Sequence, residues 1–319
     1  MRVVNFLVQQ MWFFSIPLLI VALGGMFSER SGVVNIALEG IMVVGAFCSI
    51  FFINQMQDVM SGQWLLVLAI LVAVLSGMLF SALHAFAAIH LKSDQTISGT
   101  ALNMIAPAAA IYVARMVQTN HVQQVGFQNT FRIFSVPLLG DIPVIGPLFF
   151  QNTYITTYLG IAILLVAAYV LYKTKFGLRL RACGEHPQAV DSVGVNVYGI
   201  RYAGVLLSGA LAGLGGLIFV IPTSTDFNAT VSGYGFLALA VLIFGQWKPM
   251  RIFFAALFFG LMKTIASAYS GIPGLKDLSI PSDIYKMIPY ITTLVVLAFT
   301  SKNSHAPRAS GVPYDKGGR

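Results

Sequence analysis

Apolar runs of about 20 residues, the length a helix needs to cross the hydrocarbon core, recur along this chain too closely to leave room for a soluble domain. Such runs lie at 11–27, 35–53, 64–90, 96–114, 154–172, 203–221, 234–246, 251–269 and 284–300. The pattern predicts nine spans. One is short, since residues 234–246 reach only about 20 Å. Composition agrees: 57% of the 319 residues are hydrophobic and 9% charged, where soluble domains hold about 25% charged residues. A soluble enzyme would have to expose that apolar excess, and two cysteines, Cys48 and Cys183, build no disulfide scaffold. The expected fold is an all-α polytopic membrane protein. It forms one transmembrane domain over residues 1–302, followed by a polar tail, 303–319, expected to be disordered.

Charge sets the orientation. With the N-terminus outside and the C-terminus inside, 13 of the 19 Lys and Arg fall in inside segments and 5 outside, with Lys263 inside a span. That is the positive-inside bias, and it accounts for the net charge of +8 without nucleic acid, for which no dense basic tract exists. Two connections are long. Residues 115–153, outside, are rich in Gln, Asn, Phe and Pro and are expected to form a folded cap or docking surface. Residues 173–202, inside, carry Lys173, Lys175, Arg179, Arg181 and Arg201.

Spans one to four start outside and spans six to nine start inside, so the chain reads as two inverted four-helix halves. A local echo supports this: Ser31-Gly32 precedes Ala37-Leu38 as Ser232-Gly233 precedes Ala238-Leu239, each between the first and second span of its half. Broken helices expose backbone groups that only protein or a wet cavity can satisfy. Matched breaks in two halves therefore point to a transport pathway.

Three blocks carry a family resemblance. Glu29-Arg30-Ser31-Gly32-Val33-Val34-Asn35-Ile36-Ala37-Leu38-Glu39-Gly40 is similar to the signature of ABC-importer permeases for nucleosides and simple sugars. So is Gly177-Leu178-Arg179-Leu180-Arg181-Ala182-Cys183-Gly184-Glu185-His186-Pro187-Gln188-Ala189, followed by Gly194-Val195-Asn196-Val197. The third block is Ser208-Gly209-Ala210-Leu211-Ala212-Gly213-Leu214-Gly215-Gly216. The resemblance covers most of residues 11–300. It departs at Cys183 and Lys263. It implies a bacterial cell-membrane subunit that translocates nucleosides, with simple sugars and branched-chain amino acids as alternative cargo. It also implies partners: ATP-binding subunits that hold ATP and Mg²⁺, a second and related permease chain, and an extracytoplasmic substrate-binding protein. No cofactor and no metal are expected in this chain. It has no G-x-x-x-x-G-K-[S/T] phosphate loop, no H-E-x-x-H and no G-x-S-x-G, so an intramembrane enzyme finds no support. A stand-alone secondary transporter is the other rival, and the large basic inside loop speaks against it.

Candidate pathway residues are Asn35, Glu39, Gly40, Thr100, Asn103, Ser232, Gly233 and Gly235. Asn35 and Glu39 share a helix face at i, i+4. They read either as a polar constriction or as an interfacial pair in which Glu39 meets Arg30. Asn103 lies on a face with Thr96, Gly99 and Thr100, where small and hydroxylated residues serve helix packing or substrate contact. His84 and His90 read as ordinary interfacial histidines, and Lys263 as a snorkelling side chain. Of the inside loops only 173–202 is long enough to dock an ATPase. Its candidate coupling residues are Arg179, Arg181, Gly184, Glu185, Pro187, Ala189 and Gly194, with Pro187 opening a short helix and Gly194 closing it.

Overall fold

The computed structural model describes residues 2–118, 121–128, 130–137, 139–143, 145–269, 281–300 and 305–316. Its helices are α1 (Arg2–Arg30), α2 (Leu38–Met56), α3 (Gln63–Ile89), α4 (Gln95–Val117), α5 (Ile155–Lys173), α6 (Lys175–Glu185), α7 (Pro187–Ser192), α8 (Val197–Thr223), α9 (Tyr234–Phe244), α10 (Pro249–Ala268) and α11 (Ser282–Thr300). Among the described residues, seven are long and apolar enough to cross a membrane: α1 to α5, α8 and α10. Helix α9 is not. Its 11 residues rise about 16 Å, roughly half of a hydrocarbon core.

The bundle is organised around α8, against which α1, α2 and α3 all pack. The small-residue run 208–216 is the reason. Gly213 sits against the backbone of Ala73, Gly77 and Gly45, Gly216 against the Met42 carbonyl, and Gly209 against Ser81. In lipid no hydrophobic force drives helices together, so close backbone approach through small residues replaces it. On α3 the opposite face carries Leu68, Leu71, Leu75, Leu79 and Leu83, all exposed, as a lipid-facing stripe should be.

The two membrane faces differ. One is capped by the described residues between α4 and α5. Strand β1 (Val125–Gly126) pairs antiparallel with β4 (Asp226–Phe227), and β2 (Ile133–Ser135) with β3 (Gln151–Thr153). Phe127, Phe131 and Phe227 are buried beneath, and Asn54, Gln57 and Gln63 tie the cap to the α2–α3 turn. The other face is basic and carries α6 and α7.

Two sequence expectations differ from the structure here. Helix α8 starts at Val197, capped by Asn196, whose Oδ1 accepts from Gly199 N at 3.1 Å. The connection is therefore shorter than 173–202, and Arg201 is a buried helical residue rather than a loop cation. The tail, polar enough to read as disordered, is instead seated on the basic face over residues 305–316. Ala309 N donates to Gly184 O at 2.8 Å, and Tyr314 is buried. Composition misjudged it because its contacts are backbone hydrogen bonds plus one aromatic ring, which hydropathy does not register.

Candidate functional site

Between α1 and α2 the chain runs unwound from Ser31 to Ala37, and side chains from other helices satisfy its backbone. Gln95 Oε1 accepts from Val34 N at 2.7 Å. The Val34 carbonyl lies 2.9 Å from His84 Nε2, so His84 carries its proton there, and its Nδ1 takes the Ser98 hydroxyl at 3.0 Å. Asn103 uses both ends of its amide. Its Nδ2 donates to Ile36 O at 2.9 Å, and its Oδ1 accepts from Gly40 N at 2.7 Å, capping the start of α2. Gly40 permits this approach, since a Cβ there would stand 2.8 Å from the Leu102 carbonyl. Lower down, Ser28 Oγ donates to Val33 O at 2.7 Å and Asn35 Nδ2 to Ser208 Oγ at 2.9 Å. Asp94 fixes the register of α4 by capping it. The backbone N–H groups of Ile97 and Thr96 on its carboxylate hold it below the usual carboxylate range.

The second break, residues 224–233, descends from the capped face after the β1–β4 pair. It turns through three residues with positive φ, Ala229 (55°), Ser232 (54°) and Gly233 (78°), before α9 begins. There it meets the first break. Glu39 Oε1 accepts from Gly233 N at 2.9 Å and Oε2 from Gly235 N at 2.6 Å. One carboxylate thus caps the N-terminus of α9, where free N–H groups and the helix dipole favour negative charge. Gly235 lies directly on the backbone of Glu39, with no space for a Cβ. The two breaks enter from opposite faces and join on Glu39, where the full-length α2 meets the half-length α9.

Around the joint, Lys263 Nζ stands 5.7 Å over the ring of Tyr234. It turns into the bundle rather than snorkelling. Tyr234 is buried, its ring 4.1 Å from that of Phe219, and among the described residues its hydroxyl has no hydrogen-bond partner. The Glu39–Arg30 pair considered from sequence does not form. Arg30 turns to the basic face, donating to Trp247 O at 3.2 Å and standing 3.7 Å from Glu185. Trp247 Nε1 in turn donates to Glu29 Oε2 at 2.6 Å. The first sequence block is thus an anchor. Its Glu29 and Arg30 hold the α9–α10 turn and the end of α6 against α1.

On the basic face, Pro187 opens α7, and Gly194 (φ 78°) follows its end with its N–H on Asp191 O at 2.9 Å. Gln188, Ala189 and Val193 are exposed, as is Arg179, while Arg181 leans on Tyr172 at 5.5 Å. Gly184 packs at 2.5 Å on the Arg30 carbonyl, measured from the position its Cβ would take.

Of the residues read from sequence, Glu39, Gly40, Asn103, Gly233 and Gly235 come together in one hydrogen-bonded group. Asn35 lies below it, bonded to α8. Thr100 is exposed and bonds within its own helix to Thr96 O at 2.7 Å, and Ser232 sits exposed at the rim. The sequence singled out neither Gln95 nor Tyr234, and it read His84 as an ordinary interfacial histidine and Arg201 as a loop cation, whereas both are buried. His84 carried one signal, a histidine on the side of α3 where Ser81, Ala85 and Ala88 are small, but its partner lies 50 residues away.

Comparison with known proteins bears on this arrangement. Residues 7–297 match the family described as branched-chain amino acid transport system / permease component. The nucleoside ABC transporter permease protein NupC of Lactococcus lactis subsp. cremoris is 45% identical, over 99% of this chain and 99% of its own length. The guanosine ABC transporter permease protein NupQ of Bacillus subtilis is 43% identical, over 100% and 99%. A second Lactococcus protein, the nucleoside ABC transporter permease protein NupB, is 25% identical over 94% of this chain and 83% of its own length. No solved structure matches.

Proposed function

Because this chain belongs to the family of permease components described for branched-chain amino acid transport, and is nearly half identical to two nucleoside permeases, we propose that it carries nucleosides across a cell membrane. It does so as the permease subunit of an ABC importer. The observation that carries the reading is full-length identity of 45% and 43% to permeases named for nucleosides and guanosine. It is a transport subunit rather than an enzyme, and ATP with Mg²⁺ is handled by a separate subunit.

The finer reading extends this. Nine spans, the short α9 included, make two inverted four-helix halves joined by α5, with the N-terminus outside and the C-terminus in the cytoplasm. Residues 1–302 are the permease domain. Supporting it are the 13-to-5 division of basic residues and the meeting of the two breaks on Glu39. The pathway runs past Asn35, Glu39, Gly40, Asn103 and the segment 232–235. Its gate is the Glu39 joint, where two helix breaks from opposite faces meet on a single carboxylate. Helix α7, with Ala189 exposed, receives the ATPase subunit. Partners are that ATPase, a substrate-binding protein outside, and a second permease of related sequence, which the two different Lactococcus permeases support.

Uptake of labelled uridine, guanosine, ribose and leucine, in cells lacking the chain and in cells with it restored, tests the substrate class. Restoration of uridine or guanosine uptake alone is expected. Restoration of ribose or leucine uptake instead would overturn it.

A further inference from the structure

We propose that residues 305–316 form a strap that makes α7, the α1–α2 break and the α9–α10 turn move as one body, with Tyr314 and Arg201 as positioning residues for coupling. The proposal rests on the reading that α7 receives the ATPase. The strap touches the connections of the basic face in turn. His305 N donates to Gln246 Oε1 at 2.9 Å in the α9–α10 turn, and Ala309 N to Gly184 O at 2.8 Å at the end of α6. Gly311, at φ 80°, lets the strap turn and donates to Gly32 O at 3.2 Å beside the first break. Asp315 stands 3.2 Å from Lys92, between α3 and α4.

The centre of the strap is a buried cation. Arg201 is 1% exposed. Among the described residues its Nη1 donates to Val312 O at 3.1 Å, and the guanidinium lies 5.8 Å from the ring of Tyr314. A buried charge is costly unless it is paired or hydrogen-bonded, and the strap supplies both the carbonyl and the aromatic face. Tyr314, 3% exposed, closes a cluster with Cys183 of α6, Val190 of α7 and Val197 of α8, its ring edge-on to Tyr198 at 5.4 Å. Helix α7 has six residues and little core of its own. A push on it reaches the first break by the path Val190, Tyr314, Arg201, Gly32. That path continues along residues 33–39 to Glu39, the joint of the two breaks.

Cys183 is a built-in reporter. Burial covers its thiol and pushes its pKa up to about 11, so a seated strap makes it slow to alkylate. The experiment uses the assembled complex with its ATPase in a Cys48→Ser background. In Tyr314→Ala, maleimide labelling of Cys183 should quicken and nucleoside uptake should fall by about tenfold, within the usual range of coupling between sites. Assembly and basal ATP hydrolysis should persist, with stimulation by substrate lost. Tyr314→Phe, which keeps the ring and loses only the hydroxyl's hydrogen bond to Asp191 of α7, should keep Cys183 covered and retain more uptake than Tyr314→Ala. Wild-type uptake in Tyr314→Ala with Cys183 newly reactive would overturn the proposal. So would loss of uptake together with loss of assembly, which assigns the strap to folding. Failure of the docking reading is separate and appears as wild-type coupling in Ala189→Arg.

Discussion

The two interruptions of the bundle solve the same problem in different ways. Residues 31–37 are clamped: Gln95, His84 and Asn103 each reach in from another helix to hold a backbone group. Residues 224–233 have a two-residue strand pairing, turns local to the segment, and one external carboxylate at their end. A segment held by several buried side chains has one arrangement. A segment held by a short strand pair, local turns and one capping side chain can rearrange beyond the strand when that group lets go. Internal rearrangement therefore belongs to the second break, pivoting on Glu39, while the first break keeps its own shape and shifts only as part of a rigid unit.

The largest effect should come from crowding the joint itself. Gly235→Ala drives a methyl into the backbone of Glu39, and overpacking of that kind costs about 1–3 kcal/mol. Uptake should be abolished, and membrane abundance should fall by less than uptake does. Equal uptake per molecule would break the comparison at its centre.

Next, removing a clamp should injure stability before transport. Asn103→Ala leaves Gly40 N and Ile36 O without their partner, at about 1–3 kcal/mol for each buried group. Thermal unfolding in detergent should shift down by a few degrees, since 1 kcal/mol moves the midpoint by about 2–4 °C in a domain of 150–250 residues and by less in a longer chain. A variant unchanged in stability would mean that Asn103 serves the substrate rather than the backbone.

Much of this was legible in the chain and some was not. Polar residues stranded in apolar runs, Glu39 and Asn103, announced themselves, and so did the echo of Ser31-Gly32 in Ser232-Gly233. The partners did not, because Glu39 and Gly233 are 194 residues apart and no local pattern encodes such a meeting. Arg201 was misplaced because Tyr198, Arg201 and Tyr202 look like loop residues until Asn196 is recognised as a cap. The tail was misread because backbone hydrogen bonds leave no trace in composition.

Amide exchange sharpens the contrast further. Amides of residues 33–37 should exchange more slowly than those of residues 228–232, and the Glu39→Gln variant should quicken the second set alone. Uniform exchange across both breaks would erase the distinction. The smallest effect concerns Asp94. Its carboxyl is held below its unfolded range, so the stability it lends is present above about pH 4 and is lost as pH falls through its folded value. Unfolding followed from pH 6 to pH 3 should show a steeper acid loss in wild type than in Asp94→Asn, which caps without titrating. Parallel curves would remove Asp94 from the account.

The claim that everything else depends on is that the Glu39 carboxylate is the working joint of a nucleoside permease. Labelled guanosine uptake, measured at matched membrane abundance for wild type and Glu39→Gln, tests it most directly. The amide keeps the size but can accept from only one of the two N–H groups, and a charge-assisted hydrogen bond is worth about 1.5–3 kcal/mol. Uptake should fall by about tenfold or more. Wild-type uptake in Glu39→Gln would contradict the claim.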